Sequence, residues 1–291
     1  MTTQTTFTLI NPQSKELAFS VLSLEDDSYF NQQKKYNYYS IILVTKGKGK
    51  LKADFSEYKF EENTLMCFSI YQPFTIKAEG EFKGIMLNFH PDFFCIHKHH
   101  HEVACDGVLF NNIYESPLVL LDEQQTGALI LLLNQLKEEI QNDSVAQYEL
   151  LVSYLKIFLI NASRFKLNQN LLPALKTDSD PFILKTLKDA IDEHYKTKHS
   201  AGDYAELLSI STKALNRLSK VHFNKTLTNL IAERIIIEAK RELYLTVKSI
   251  KKIAYELGFN DEFYFSRFFK TNTAVSPQIY RDTVGFARAS A

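Results

Sequence analysis

Two short stretches carry side chains that can read the edges of base pairs. In the first, Thr212, Lys213, Asn216, Arg217 and Lys220 recur at helical spacing on one face. In the second, Glu262, Phe263, Ser266, Arg267 and Lys270 do the same. Arginine donates two parallel hydrogen bonds to guanine O6 and N7, asparagine pairs with adenine, glutamate accepts from cytosine N4, and an apolar side chain meets the thymine methyl. That chemistry assigns Arg217 and Arg267 to guanine, Asn216 to adenine, Glu262 to cytosine and Phe263 to thymine. Thr212, Lys213, Lys220, Ser266 and Lys270 are left for bases or phosphates.

The elements that must hold these residues are two helix pairs. In the later one, Ile253, Ala254 and Leu257 give the first helix an apolar face, and Gly258 ends it because glycine enters the left-handed region freely. Asn260 or Asp261 caps the next helix. Tyr264, Phe265, Phe268 and Phe269 form the inward face of that helix. The earlier pair is a weaker copy. Asp203–Ser209 is a short helix with Tyr204, Ala205 and Leu208 inward, Ile210–Ser211 the turn, and Thr212–His222 a helix with Ala214, Leu215, Leu218 and Val221 inward. Between the copies, Leu227–Leu245 reads as one long helix.

Ile253, Ala254, Gly258 and Phe259, then Tyr264, Phe265, Ser266, Arg267, Phe269 and Lys270, then Ser276, Pro277, Tyr280 and Arg281 resemble the signature of the AraC-type transcription regulators. Four positions depart from its usual pattern. Ala274 and Asn224 stand where glycine is common, Phe263 where serine is frequent, and Ser219 where the first copy usually has phenylalanine. The resemblance implies two helix-turn-helix reading heads on a connecting helix, filling successive major grooves of double-stranded DNA. Arg281 then serves structure or phosphate rather than base reading.

Charge agrees with binding at one end. Net charge is zero, yet residues 1–180 carry 16 Lys/Arg against 22 Asp/Glu, and residues 181–291 carry 18 against 12. The basic half favours a polyanion.

Residues 1 to about 90 read as β-structure. Tyr38–Thr45, Leu51 to Phe55, Thr64–Phe68, the Pro73-broken run Ile70–Ile76, and Ile85 to Phe89 are short strands between turns, as in a small sandwich or barrel. Val108–Phe110 reads as one more. Residues 38–89 contain no histidine, which argues against a metal-dependent enzyme on these strands. His97, His99, His100, His101 and Glu102 lie between Cys95 and Cys105, where either a metal site or a polar turn is compatible with the residue types. Asp122–Ile140 and Gln147–Ala162 are helices. The second is apolar around so much of its girth that it wants contacts on two sides.

The expected fold is therefore α+β. Residues 1–165 form a cupin-like β-barrel or sandwich with two following helices, residues 166–181 a linker, and residues 182–291 an all-α DNA-binding domain. The cupin-like sensor role and a homodimer through helices within 122–162 are what the resemblance implies, with a small-molecule effector and RNA polymerase as further candidate partners. The expected function is sequence-specific transcription regulation, with no enzymatic activity, no cofactor and no metal. A metal-dependent cupin enzyme with a helical appendage and a protein-binding scaffold are the alternatives. The longest apolar run, Ala128–Leu133, is too short for a bilayer. The N-terminus has no signal-peptide pattern, and Cys67, Cys95 and Cys105 cannot all pair within the chain, so a reducing cytoplasm is the expected compartment. Effector, operator and the sign of regulation are not encoded in these patterns.

Overall fold

A computed structural model describes residues 6–11, 15–103, 105, 107–142, 144–171 and 181–284. The chain separates into two compact units, Met1–Asn112 with Pro117–Ala174, and Ile113–Ser116 with Leu175–Ala291.

In the first unit β1 (Thr6–Ile10), β2 (Leu17–Leu24), β3 (Tyr39–Lys46), β6 (Thr64–Phe68), β8 (Lys83–Phe89) and β9 (Leu118–Leu120) form one antiparallel sheet, ordered β1-β2-β8-β3-β6-β9. A second sheet, ordered β5-β4-β7, contains β4 (Gly49–Ala53), β5 (Ser56–Phe60) and β7 (Phe74–Ala78). Register explains the core. Leu22 pairs with Met86, Met86 with Ile42, Ile42 with Met66 and Met66 with Leu118, so one apolar row crosses five strands. These residues join Leu51, Phe60, Phe68, Phe74 and Phe82 in one buried cluster. Phe68 and Phe74 stack at 3.8 Å between ring centroids. β7, following Pro73, is an edge strand, where the missing proline N–H costs no ladder bond.

The opposite face of the large sheet is also buried. Val21, Leu87, Ile41 and Cys67 form a parallel row of paired residues. Helix α2 (Glu123–Gln141) packs on β1 and β2, and α3 (Gln147–Leu171) packs on β9. Asp122 caps α2 by accepting from Gln125 N–H at 2.7 Å, and the Gln125 side chain accepts from Asp122 N–H in return. Leu151, Leu155, Phe158, Leu159 and Ala162 are the buried side of α3.

Several expectations need correction. The helix expected to end at Ala162 runs to Leu171, into the stretch read as linker from 166. Lys166, buried, donates to the Leu118 carbonyl at 2.5 Å, and the Gln169 side chain accepts from Leu120 N–H at 3.0 Å. Those bonds to β9 hold the extra turns. Residues 172–180 of the proposed linker lie outside the described residues. Instead of a strand at Val108–Phe110, residues 107–109 are a turn, closed by Gly107 N–H on the Phe110 carbonyl at 2.8 Å, Phe110 is a single bridge residue, and the additional strand is β9. Tyr148, at the start of α3, is half exposed, and its hydroxyl donates to the Phe93 carbonyl at 2.8 Å. Phe55, read as an alternating strand residue, is exposed at the β4–β5 turn, where Asp54 has a positive φ.

The histidine-rich segment holds a four-residue helix, α1 (His100–Val103). His99 stacks on Phe94 at 4.8 Å. Its Nδ1 lies 2.7 Å from a Glu102 oxygen, and Lys156 on α3 reaches the other at 2.5 Å. Lys156 first, and then His99, hold the Glu102 carboxyl down to about 2. Among the described residues no group of three or more His, Cys, Asp or Glu is placed to hold a metal.

The second unit is helical. It contains α4 (Pro181–His194), α5 (Ala201–Leu207), α6 (Thr212–Phe223), α7 (Leu227–Leu245), α8 (Ile250–Glu256), α9 (Glu262–Thr273) and α10 (Pro277–Val284). α7 touches every other helix of the unit. Its Leu230, Ile231, Ile235, Ala239 and Leu243 are buried, as a helix enclosed on several sides requires. Among the described residues no helix is long and apolar enough to cross a membrane.

Candidate nucleic-acid interface

α5–α6 and α8–α9 are two builds of one motif. Ser200 caps α5 and Ser249 caps α8, each accepting from a backbone N–H at 3.2 Å. Both first helices close in the same way. Leu208 N–H bonds to Tyr204 O, Ser209 N–H to Glu206 O, and Ile210 N–H to Ala205 O. Leu257, Gly258 and Phe259 repeat this with Ile253, Tyr255 and Ala254. The pivot is left-handed in both, at Ser209 (φ 53°) and Gly258 (φ 82°).

The second helices are capped by Ser211 and Asp261. Of the two cap candidates in the later motif, Asp261 takes the role, accepting from Phe263 N–H and Tyr264 N–H at 3.0 Å each. Their exits match as well. Asn224 (φ 56°) and Ala274 (φ 63°) are both left-handed C-caps. This is the conformation that makes glycine common at those positions, and the departures keep it at a cost of about 1 kcal/mol for alanine.

The inward stripe is narrower than expected. On α6 it is Leu215, Ser219 and Phe223, and on α9 it is Phe265, Phe269 and Thr273. Ser219, where phenylalanine is usual, is still inward, fully buried, with its hydroxyl donating to the Lys225 carbonyl at 2.7 Å. Phe259 packs against Phe265 and Phe268, each at 5.2 Å, and Phe269 meets Tyr280 at 5.7 Å. Ala214 and Val221, expected inward on α6, are exposed, as is Tyr264 on α9. A helix that rests on its neighbours along a single i, i+4, i+8 line leaves the flanks of its apolar face in water.

Of the ten expected reading residues, Thr212, Lys213, Arg217, Lys220, Phe263, Arg267 and Lys270 are exposed. Glu262 and Ser266 are half-buried. Asn216 differs in a way that matters. It is half-buried, its Nδ2 donates to the Thr212 carbonyl at 3.1 Å, and its Oδ1 accepts from Leu227 N–H at 3.2 Å. Oδ1, one of the two atoms that adenine would need, ties α6 to the start of α7, and Nδ2 bonds within α6 itself.

Arg281 is structural, donating to the Lys248 carbonyl at 2.6 Å and to that of Leu243 at 3.5 Å. Burial lowers its pKa from the usual arginine value.

Lys225 pairs with Glu233 at 2.6 Å, and Arg234 pairs with Asp192 at 2.8 Å while lying 4.0 Å over the Tyr195 ring. Lys248 is held by Glu242 and Glu256, which push its ammonium up to about 12. Among the described residues, Lys213, Arg217, Lys220, Arg267 and Lys270 make no such pair, and all five point outward from α6 and α9. Lys213, Arg217, Val221 and His222 line a shallow hollow of about 480 Å³ on the outer side of α6.

A helix-turn-helix domain model matches residues 204–283, and a model described as an AraC-like ligand binding domain matches residues 17–151. The chain belongs to the AraC-type regulator family. AraC-type relatives include the raffinose operon transcriptional regulatory protein RafR of Pediococcus pentosaceus, 32% identical over 95 residues, or 33% of this chain and 34% of RafR. The transcriptional activator RhaS of Enterobacter sp. strain 638 is 27% identical over 158 residues, 54% of either chain. The chain thus spans about a third to a half of the length of these two relatives. Among solved structures, the C-terminal domain of AraT from Geobacillus stearothermophilus is 26% identical, covering 38% of this chain and 91% of that one at a TM-score of 0.35. ToxT of Vibrio cholerae is 16% identical over 97% of this chain and 98% of its own at a TM-score of 0.40. Neither superposition assigns a role to any residue here.

Proposed function

We propose that this AraC-type chain is a sequence-specific DNA-binding transcription regulator whose α6 and α9 enter successive major grooves. What carries the reading is the set of five exposed cations on the outward faces of these two helices, none of which makes an ion pair among the described residues. Unpaired surface cations gain most from a polyanion, because contact with phosphate releases condensed counterions. α7, at 19 residues, is about 28 Å long, close to the roughly 34 Å repeat of the major groove. Arg217 and Arg267 take guanine, while Lys213, Lys220 and Lys270 set affinity through phosphate. Asn216 braces α6 against the start of α7 through Oδ1 and keeps a second amide N–H for adenine.

The test is selection of bound duplexes from a random library by the full chain, followed by titration of the selected site against salt. The expected result is one enriched site, with log affinity falling linearly in log salt at a slope of about −3 to −6. Absence of any enriched, salt-sensitive site would refute the reading.

The β unit supplies the regulatory input, from a small molecule or a protein partner. Such a ligand shifts the regulator only by its difference in affinity between two states. The same unit dimerises through α2 and α3. Support comes from Leu131 on α2 and Leu150 and Ile157 on α3, all exposed although α3 already buries a full stripe inward. Glutamate at Leu131 and Ile157 together is expected to convert a dimer into a monomer in sedimentation, with the folding transition unchanged. A wild-type monomer at tens of micromolar rules out this interface. The reading places the chain in the compartment that holds the DNA.

A further inference from the structure

The two reading helices share a frame but not a surface. At the first exposed turn of α6 stand Thr212, Lys213 and Ala214, and at the matching turn of α9 stand Glu262, Phe263 and Tyr264. Phe263 is 70% exposed and Tyr264 56%. Exposure of two large rings side by side, beside the unpaired Arg267 and Lys270, is not explained by packing. The inner side of α9 is completed by Phe265 and Phe269, both fully buried. Tyr264 is nonetheless held in position, its ring 5.8 Å from that of the buried Phe259. Helical spacing puts Phe263 and Arg267 one turn apart on the same outward line. An apolar ring one turn before an unpaired guanidinium matches a thymine next to a guanine in the major groove, because the thymine 5-methyl is the apolar group that the groove displays. α6 offers no such ring at the corresponding turn, where Lys213 matches Phe263.

We infer that the two heads divide the work. The α9 head reads thymine methyls through Phe263 beside the guanine of Arg267, with Tyr264 as its packed neighbour, and the α6 head reads guanine and phosphate without a ring contact. The inference rests on the DNA-binding reading and adds the base class that the second head selects. It also gives the exposed rings an occupant: the methyl edge of a pyrimidine beside the guanine that Arg267 takes, flanked by a phosphate that Lys270 attracts.

The experiment starts from the duplex selected by the full wild-type chain. Each thymine is replaced in turn by uracil, which removes one methyl and leaves every hydrogen-bonding group in place. One or two positions, clustered in one half of the site, are expected to weaken wild-type binding about 3- to 5-fold each, the worth of one buried methyl. The same replacements are expected to change binding of Phe263→Ala by less than about 1.5-fold, because the partner of the methyl is gone. Phe263→Leu keeps an apolar contact and is expected to retain part of the discrimination. Thermal unfolding of Phe263→Ala should match wild type, since an exposed ring contributes little to stability. If wild type binds every uracil duplex as tightly as the thymine duplex, or if Phe263→Ala still discriminates, the inference is overturned while DNA binding stands. If no duplex is selected at all, the DNA-binding reading itself has failed.

Discussion

Alanine at both Arg217 and Arg267 is expected to lower affinity for the selected duplex by about 10²- to 10⁴-fold, with no change in the folding transition. Each guanidinium, if paired to guanine O6 and N7, is worth about 1–3 kcal/mol of discrimination, and the two lie on separate helices, so their losses should add. Neither arginine supports the fold. Both are exposed, and among the described residues neither makes a hydrogen bond or ion pair. A surface substitution without such features stays within about 0.5 kcal/mol in stability. The informative comparison is with Lys213→Ala and Lys270→Ala. Loss of a phosphate contact weakens all duplexes alike and reduces the salt slope by about 0.9 per lysine. Loss of a guanine contact relaxes preference at one position and leaves the slope nearly unchanged. Binding by the double arginine variant within about 3-fold of wild type would remove both residues from the reading face.

Gly258→Ala is expected to destabilise the C-terminal unit by roughly 2–5 kcal/mol. Two costs combine. Backbone φ is +82°, where a Cβ clashes with its own chain. That Cβ would also lie 1.9 Å from the Lys196 carbonyl oxygen and 3.2 Å from the His199 Nε2. The first obstacle is backbone, fixed by the turn that ends α4, where Lys198 N–H bonds to the His194 carbonyl at 2.9 Å. The second belongs to a ring packed 4.8 Å from Phe259. Neither can yield without moving the turn that sets the direction of α9, so DNA binding should fall along with stability. Ser209 is the internal control. It occupies the matching left-handed pivot of the first motif, so Ser209→Ala should cost under about 1 kcal/mol. Denaturant midpoints of the full chain measure both. Equal midpoints for Gly258→Ala and wild type would show that the turn is not confined as described.

Local patterns were enough for the elements that close on themselves. α7 was legible to the residue, Leu227–Leu245, and so was β6, Thr64–Phe68. The left-handed pivot at Gly258 could be read from residue type alone, because only backbone conformation is at stake. β1, β2 and β9 were not individually legible. β2 is buried on both faces and shows no alternation, β1 has no buried residue and lies at the sheet edge, and three-residue β9 is a strand only because β6 lies beside it. The end of α3 was missed for a related reason. Lys166 and Gln169 look like polar linker residues until β9 supplies the backbone groups that they bond.

At the reading face, residue types and spacing by themselves determined the chemistry on offer: arginines and lysines outward, a carboxylate and an exposed phenylalanine on the second helix, and the double motif that carries them. Tertiary structure alone decided which of those groups are free to use. Helical periodicity assigns a residue to a sector about 100° wide, and it cannot say which part of the sector a neighbour will cover. Contact along one line left Tyr264 and Val221 in solvent, although their type suggested burial. The N–H of Leu227, eleven residues further along the chain, engaged Asn216, although its type suggested recognition. Both outcomes depend on where a second helix lies, a long-range relation that no local window of sequence contains.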